Sequence, residues 1–138
     1  CLYDKFACAV WSDPGIVFNE ENGNVNYWEP WYLGYETGIR RPPGIPNADR
    51  PRTGLYRQLI ESGRNLNDLH SLICPRPVLL AGGTEDPPEN WRALNHLVAI
   101  NRILGHRDRV AMTHRPTHIP TAEALERTLQ FLQFHLSE

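Results

Sequence analysis

Two turn segments of the chain carry carboxylate and imidazole side chains where strands are expected to end. Glu85 and Asp86 follow one short apolar run, and His114 and His118 follow another further along the chain. A carboxylate beside a histidine fixes the tautomer of the imidazole and stabilises its protonated form, so that the histidine can act as a general base. These four side chains are therefore the first candidates for acid–base chemistry.

Short apolar runs and helical periodicities predict the elements that must position these side chains. Near-continuous apolarity is typical of strands that are covered on both faces of a parallel sheet. Strands that alternate with helices imply parallel pairing with right-handed crossovers. The predicted fold class is therefore α/β, with about three parallel strands flanked by helices. The predicted strands cover 6–12, 77–82 and 109–113, and the predicted helices cover 53–62, 65–72, 87–104 and 121–136.

Three loops follow the predicted strands, at residues 13–51, 83–88 and 114–120. Ligands of open parallel sheets gather at the carboxyl ends of the strands. Neighbouring strands lie about 4.8 Å apart. If the second and third strands are neighbours, a carboxylate of the loop 83–88 can reach an imidazole of the loop 114–120.

The segment 14–54 combines many prolines and glycines with aromatic residues. The prolines and glycines exclude long helices and strands in this segment, and its aromatic content is too high for a disordered linker. We expect a long ordered aromatic loop insertion, a kind of loop that is usually functional. Trp28 and Trp31 could stack on sugar rings or could simply anchor the loop. Arg40, beside Arg41, could bind a uronic acid carboxylate or could be solvated.

Length, composition and charge limit the classes of function. With 138 residues, 41% apolar content and a net charge of −2, a single globular domain over 1–138 is expected, with no affinity for nucleic acid. No apolar run is long enough for a membrane span. His114 and His118 have a spacing that would suit a metal on a helix, but Pro116 disfavours a helix there, so neither a metal nor another cofactor is expected. Cys8 and Cys74 are expected to be small core residues rather than disulfide partners.

Two segments resemble the α/β-hydrolase superfamily. Val78-Leu-Leu-Ala-Gly-Gly-Thr-Glu-Asp86 resembles the strand and acid turn, with a Gly-x-x-Asp pattern over residues 83–86, and Met112-Thr-His-Arg-Pro-Thr-His118 resembles the histidine loop. Trp11-Ser-Asp-Pro-Gly15 resembles a strand end in acetyl-xylan, glucuronoyl and dienelactone-hydrolase-like esterases. The resemblance implies that Asp86 is the triad acid, that His118 is the base and that the substrate is a carbohydrate ester. Relatives are often exported, which implies a secreted or periplasmic protein.

Alternatives remain open for both members of this pair, and for the base the rival of His118 is His114. Glu85 could replace Asp86 as the acid, and Asp86 could instead cap the following helix. In some esterases of this group the acid follows the earlier strand. In that arrangement the triad acid would be Asp13, Glu20 or Glu21.

The nucleophile of the family is absent from the sequence. The serines are Ser12, Ser62, Ser71 and Ser137, and none lies in a Gly-x-Ser-x-Gly elbow between a strand and a helix. The resemblance covers only about the last three strands of the family's fold, so we expect a partial α/β-hydrolase fold that is inactive alone. The expected partner is the missing N-terminal half of the fold, or a second copy that pairs through the exposed edge of the first strand. The alternative is a truncated, non-catalytic hydrolase-like domain that acts only in binding or assembly.

Overall fold

The structure is a computed structural model that describes residues 3–13, 15, 48, 58–59, 61–84 and 86–137. The chain divides into two compact units, one formed by Cys1–Ile16 with Asn67–Glu138 and the other by Val17–Leu66. The predicted loop 14–54 lies outside the described residues except for Gly15 and Ala48. Several candidates from the sequence also lie outside them, namely Glu20, Glu21, Trp28, Trp31, Arg40 and Glu85.

Strands and helices alternate along the larger unit. The strands are β1 (Ala9–Ser12), β2 (Val78–Gly82) and β3 (Val110–His114), and the α-helices are α1 (Leu66–His70), α2 (Asn95–Ile103) and α3 (Ala122–Leu136). There are also two 3₁₀ segments. Ser71–Ile73 directly follows α1, and Pro88–Leu94 directly precedes α2. Each predicted strand is present, with ends that differ by up to three residues from the predicted ranges.

The three strands form one parallel sheet in the order β1-β2-β3. Ser12 is paired with Ala81, and Gly82 is paired with His114, so the three strands end nearly level with one another. This confirms the prediction of three parallel strands flanked by helices. Because parallel strands end on the same side, the loops after β1, β2 and β3 meet at one edge.

The core of this sheet is centred on β2. All five residues of β2 are buried, whereas β1 and β3 are mostly half-buried. Val78 and Leu80 are fully buried against Ile73, Leu94 and Leu97, which come from the helical segments on either side of β2 in the sequence. The continuous apolarity of β2 thus reflects its central position, with neighbours on both edges and side chains packed on both faces.

The helix predicted over 87–104 is divided into two parts. Its first turns are a 3₁₀ segment in which Asn90 N donates to Pro87 O at 2.9 Å, and α2 follows it. Pro87 and Pro88 have no N–H groups to donate at this start. The end of the helix agrees with the sequence, because Gly105 has a left-handed φ of +86° and His106 N donates to Asn101 O at 2.8 Å.

The two cysteines within the described residues are free thiols. Cys8 and Cys74 are both half-buried, and burial raises the pKa of each thiol. Among the described helices, none has the length and apolarity needed to cross a membrane.

Candidate active site

Asp13 is the first residue after β1 and is almost fully buried. Its backbone N–H continues the sheet by donating to Ala81 O at 3.0 Å. Its φ is +50°, in the left-handed region that aspartate tolerates better than most side chains. The chain therefore turns sharply at the end of β1.

The carboxylate of Asp13 connects all three loops at the sheet edge. Oδ1 accepts hydrogen bonds from Gly83 N at 2.9 Å and from Asp86 N at 3.0 Å, both in the turn after β2. Oδ2 lies 2.8 Å from Nδ1 of His118, in the loop after β3. Because the two backbone donors fix the carboxylate plane, Oδ2 is held towards the imidazole.

His118 is the solvent-facing member of this pair. Its side chain is 58% exposed, whereas that of Asp13 is 0% exposed. With Nδ1 donating to the carboxylate, Nε2 of the neutral ring carries no proton and can accept one. Within the described part of the chain, Nε2 of His118 has no hydrogen-bond partner. The ring therefore presents a basic nitrogen at the surface.

Asp86, the acid favoured by sequence resemblance, is fully buried but does not contact His118. Its Oδ2 accepts a hydrogen bond from Gly15 N at 2.8 Å. The two acids thus bind each other's loops, since Asp13 holds the turn after β2 and Asp86 holds the turn after β1. The predicted contact of Asp86 with His118 is replaced by that of Asp13, the alternative in which the acid follows the earlier strand.

The structure gives little support to the capping alternative for Asp86. The residue that caps the 3₁₀ segment Pro88–Leu94 is Pro87, which makes no side-chain hydrogen bond. The carboxylate of Asp86 instead bonds to Gly15, far away in the sequence. The buried charge of Asp86 is therefore used to join two loops.

Gly83 allows the three loops to approach one another closely. A Cβ atom at this position would lie 2.7 Å from Thr117 O and 2.9 Å from Asp13 Oδ2. Both distances are shorter than real Cβ contacts. The glycine is needed because the His118 loop and the Asp13 carboxylate both lie against its backbone.

Arg115 was not singled out by the sequence analysis, yet it is the buried cation of the site. It directly follows β3, is 3% exposed and donates to the backbone carbonyl of His118. The only hint of this role in the sequence was the position of the arginine between a strand end and the histidine loop. That position does not predict burial, because arginines are usually solvated.

His114 is close to His118 in the sequence but belongs to a different surface. It is the last residue of β3 and is exposed, and its ring lies edge-on to that of Trp91 with centroids 6.4 Å apart. A cavity of about 620 Å³ beside it is lined by Trp91, Met112 and the first turn of α3. Neither Asp13 nor His118 lines this cavity, so His114 is not a second candidate base for the same site.

No serine of the chain is hydrogen-bonded to His118. All four serines are among the described residues, and Ser12 Oγ accepts from Arg115 Nη2 at 3.2 Å. Ser62 and Ser71 donate to backbone carbonyls three residues earlier, at Leu59 and Asp68. The site therefore pairs a carboxylate with an imidazole, and no serine hydroxyl is hydrogen-bonded to that imidazole.

Within the described ranges, no group of three or more histidine, cysteine or acidic side chains could hold a metal ion. In comparisons with protein-family models, with curated proteins and with solved structures, nothing matches the chain.

Proposed function

We propose that this chain is the acid- and histidine-bearing part of a serine carboxylic-ester hydrolase. In this proposal His118 is the general base and Asp13 is its acid. The observation that carries it is the 2.8 Å contact from a fully buried carboxylate to the Nδ1 of an exposed imidazole. The finer fold description, a partial α/β-hydrolase fold with an aromatic insertion, belongs to the same proposal.

The geometry suits both steps of acyl transfer. Asp13 holds the tautomer in which Nε2 of His118 is unprotonated, so Nε2 takes the proton of a serine hydroxyl as that oxygen attacks the ester carbonyl. Nε2 then gives the proton to the leaving alcohol. The imidazolium formed between these steps lies against the Asp13 carboxylate, which stabilises it without taking its proton.

The serine belongs to a separate segment in this proposal. The resemblance places it in a Gly-x-Ser-x-Gly elbow, and none of the four serines here occupies such a turn. The oxyanion hole would come from the residue after that serine and from an earlier loop. The chain alone is therefore expected to be inactive.

A carbohydrate ester is the proposed substrate on the basis of sequence resemblance. The segment Trp11–Gly15 contains the proposed acid itself, and it is the segment that resembles acetyl-xylan and glucuronoyl esterases. Trp28, Trp31 and Arg40 remain candidates for sugar and uronic acid binding. Their roles stay predictions because they lie outside the described residues.

The test compares two aspartates that are equally buried. The chain is combined with the serine-bearing segment of the fold, and hydrolysis of p-nitrophenyl acetate and of acetylated xylo-oligosaccharides is measured. Asp13→Asn should lower kcat by about 10⁴-fold, because the amide donates to Nδ1 and selects the wrong tautomer. His118→Ala should abolish the activity to a similar extent.

Asp86→Asn is the matched control. Its side-chain oxygen can still accept from Gly15 N, so kcat should stay within about tenfold of the wild-type value. His114→Ala should leave the activity unchanged. Activity that survives His118→Ala would reject the proposal and favour the non-catalytic alternative, and a loss confined to Asp86→Asn would return the role of the acid to Asp86.

A further inference from the structure

The guanidinium of Arg115 is buried under the loop that carries His118. Nε donates to His118 O at 3.2 Å, and Nη2 donates to the same oxygen at 2.6 Å. Nη1 donates to Ala81 O and to Gly82 O, the latter at 3.2 Å. Nη2 also donates to Ser12 Oγ at 3.2 Å. All five N–H donors of the side chain are therefore used.

These acceptors belong to three different parts of the site. Ser12 ends β1 just before Asp13, and Ala81 and Gly82 end β2 just before Gly83. The remaining acceptor is the main chain of His118 itself. Arg115 therefore fixes the backbone of the base relative to the two strand ends that lead to its acid.

Arg115 forms no ion pair among the described residues, although it is a buried cation. Five polarised N–H groups bonded to carbonyl and hydroxyl oxygens offset the cost of its desolvation. The carboxylate of Asp13 consequently remains directed at His118. A lysine at this position keeps the charge but has only three donors from one nitrogen, so it cannot reach three separate elements.

We infer that Arg115 is the positioning residue of the Asp13–His118 pair. It holds the main chain at His118 so that Nδ1 faces Asp13 and Nε2 faces solvent. The catalytic meaning of this inference depends on the proposed function. The structural part, that Arg115 sets the orientation of the ring, can be tested on this chain alone.

The chain offers a matched control at the opposite end of the sheet. Arg76, two residues before β2, also uses its guanidinium on backbone carbonyls, donating to Ile73 O at 3.1 Å and to Tyr3 O at 2.6 Å. Arg76→Lys and Arg115→Lys thus both replace a guanidinium that is bonded to backbone carbonyls with a single ammonium group. Only the second change should affect His118.

The experiment measures the tautomer of His118 by long-range ¹H–¹⁵N correlation in wild type and both variants. Spectra are recorded above neutral pH, at a temperature where each variant is folded. Wild type and Arg76→Lys should show the Nδ1–H form, and Arg115→Lys should show a mixture with the Nε2–H form. In the serine-complemented enzyme, Arg115→Lys should lower kcat by about 100-fold with little change in KM.

Two further measurements apply if Arg115→Lys does not fold. Ser12→Ala removes only one acceptor and should give a smaller shift towards the Nε2–H form. In wild type, the Arg115 Nε–H should exchange slowly with solvent, because it is buried and hydrogen-bonded. Fast exchange of this proton would overturn the inference.

The outcomes separate the inference from the proposed function. If folded Arg115→Lys retains the wild-type tautomer, or if Arg76→Lys shifts it equally, Arg115 has no specific positioning role. If wild-type His118 is already in the Nε2–H form, the Asp13–His118 pair itself is not formed and the proposed function fails.

Discussion

Asp13 and Asp86 show how position decides what a buried carboxylate does. Both side chains are almost inaccessible, and each accepts hydrogen bonds from the backbone of the other's loop. Only Asp13 has its second oxygen on an imidazole. The Gly-x-x-Asp pattern at 83–86 pointed to Asp86 instead. A sequence pattern identifies a turn, but it does not give the direction in which the side chains of that turn point.

A prediction at this scale concerns Gly83. Gly83→Ala should lower the free energy of unfolding by about 1–3 kcal/mol, because the added methyl group collides with Thr117 O and with the Asp13 carboxylate. It should also disturb the His118 tautomer. Urea unfolding and the His118 nitrogen spectrum measure the two effects.

Gly63→Ala is the control for this change. Gly63 has a φ of +70° and open space around it, so alanine there costs about 1–2 kcal/mol through backbone strain alone. The His118 spectrum should stay unchanged in this variant. Equal disturbance of His118 by both substitutions would contradict the close approach at Gly83.

Among the helices and strands, α3 packs on a face that differs from the one its apolar residues mark in the sequence. The spacing of four leucines indicates one apolar stripe, namely Leu125, Leu129, Leu132 and Leu136. All of them except Leu132 are more than half exposed. The buried residue of this helix is Ala124. A small side chain lets the first turn approach the sheet closely, so the packed face is set by volume as well as by apolarity.

The start of α3 agrees with the sequence and gives a second prediction. Thr121 caps the helix, since its Oγ1 accepts from Ala124 N at 3.2 Å. Thr121→Ala should therefore lower the free energy of unfolding by about 1 kcal/mol. Thr128→Ala, in the middle of the same helix, should be close to neutral because alanine has the higher helix propensity. Equal losses in chemical denaturation would show that the cap contributes nothing.

At the scale of the whole molecule, burial is concentrated on β2. In the sheet of the described residues, β1 and β3 are the edges, and β1 pairs only with β2. Among the described residues β1 is therefore an edge strand, and the expectation that this edge is unprotected stays a prediction. Association of the chain through that edge, with a second copy or with a segment that carries further strands, stays a prediction.

Global stability should also depend on pH through His70. This ring lies against Trp11 with centroids 4.8 Å apart, and its buried Nδ1 has no hydrogen-bond partner among the residues that the structure describes. Burial lowers the pKa of His70 from 6.5 to about 4. Between these values the unfolded chain binds a proton that the folded chain does not, so stability falls as the pH falls from 6.5 to 4. The total loss should be at most about 3 kcal/mol.

The measurement compares wild type with His70→Phe by urea unfolding across this pH range. Phenylalanine keeps a ring beside Trp11 and cannot titrate, so the variant should lose less stability on acidification. The difference in free energy of unfolding between the two proteins isolates the contribution of His70 from that of the carboxylates that also titrate at low pH. Parallel pH profiles would contradict the burial of a neutral His70.

The sequence alone determined the three strands, the alternation of strands and helices, and the sheet edge at which the loops after the strands meet. Continuous apolar runs predicted β2 and its two neighbours, and the predicted helix ranges 87–104 and 121–136 came within one residue of the end of α2 and of the start of α3. Such signals are local, because capping, turn formation and burial of a run depend on residues that are adjacent in the chain.

The contact of His118 with Asp13 rather than Asp86, and the hydrogen bonds that Arg115 makes to its loop, depend on the folded chain. Asp13 and His118 are 105 residues apart in the chain. Their contact depends on the register of three strands, on the left-handed turn at Asp13 and on the absence of a side chain at Gly83. No local pattern encodes a distance between three loops, since that distance is fixed only when the sheet has assembled.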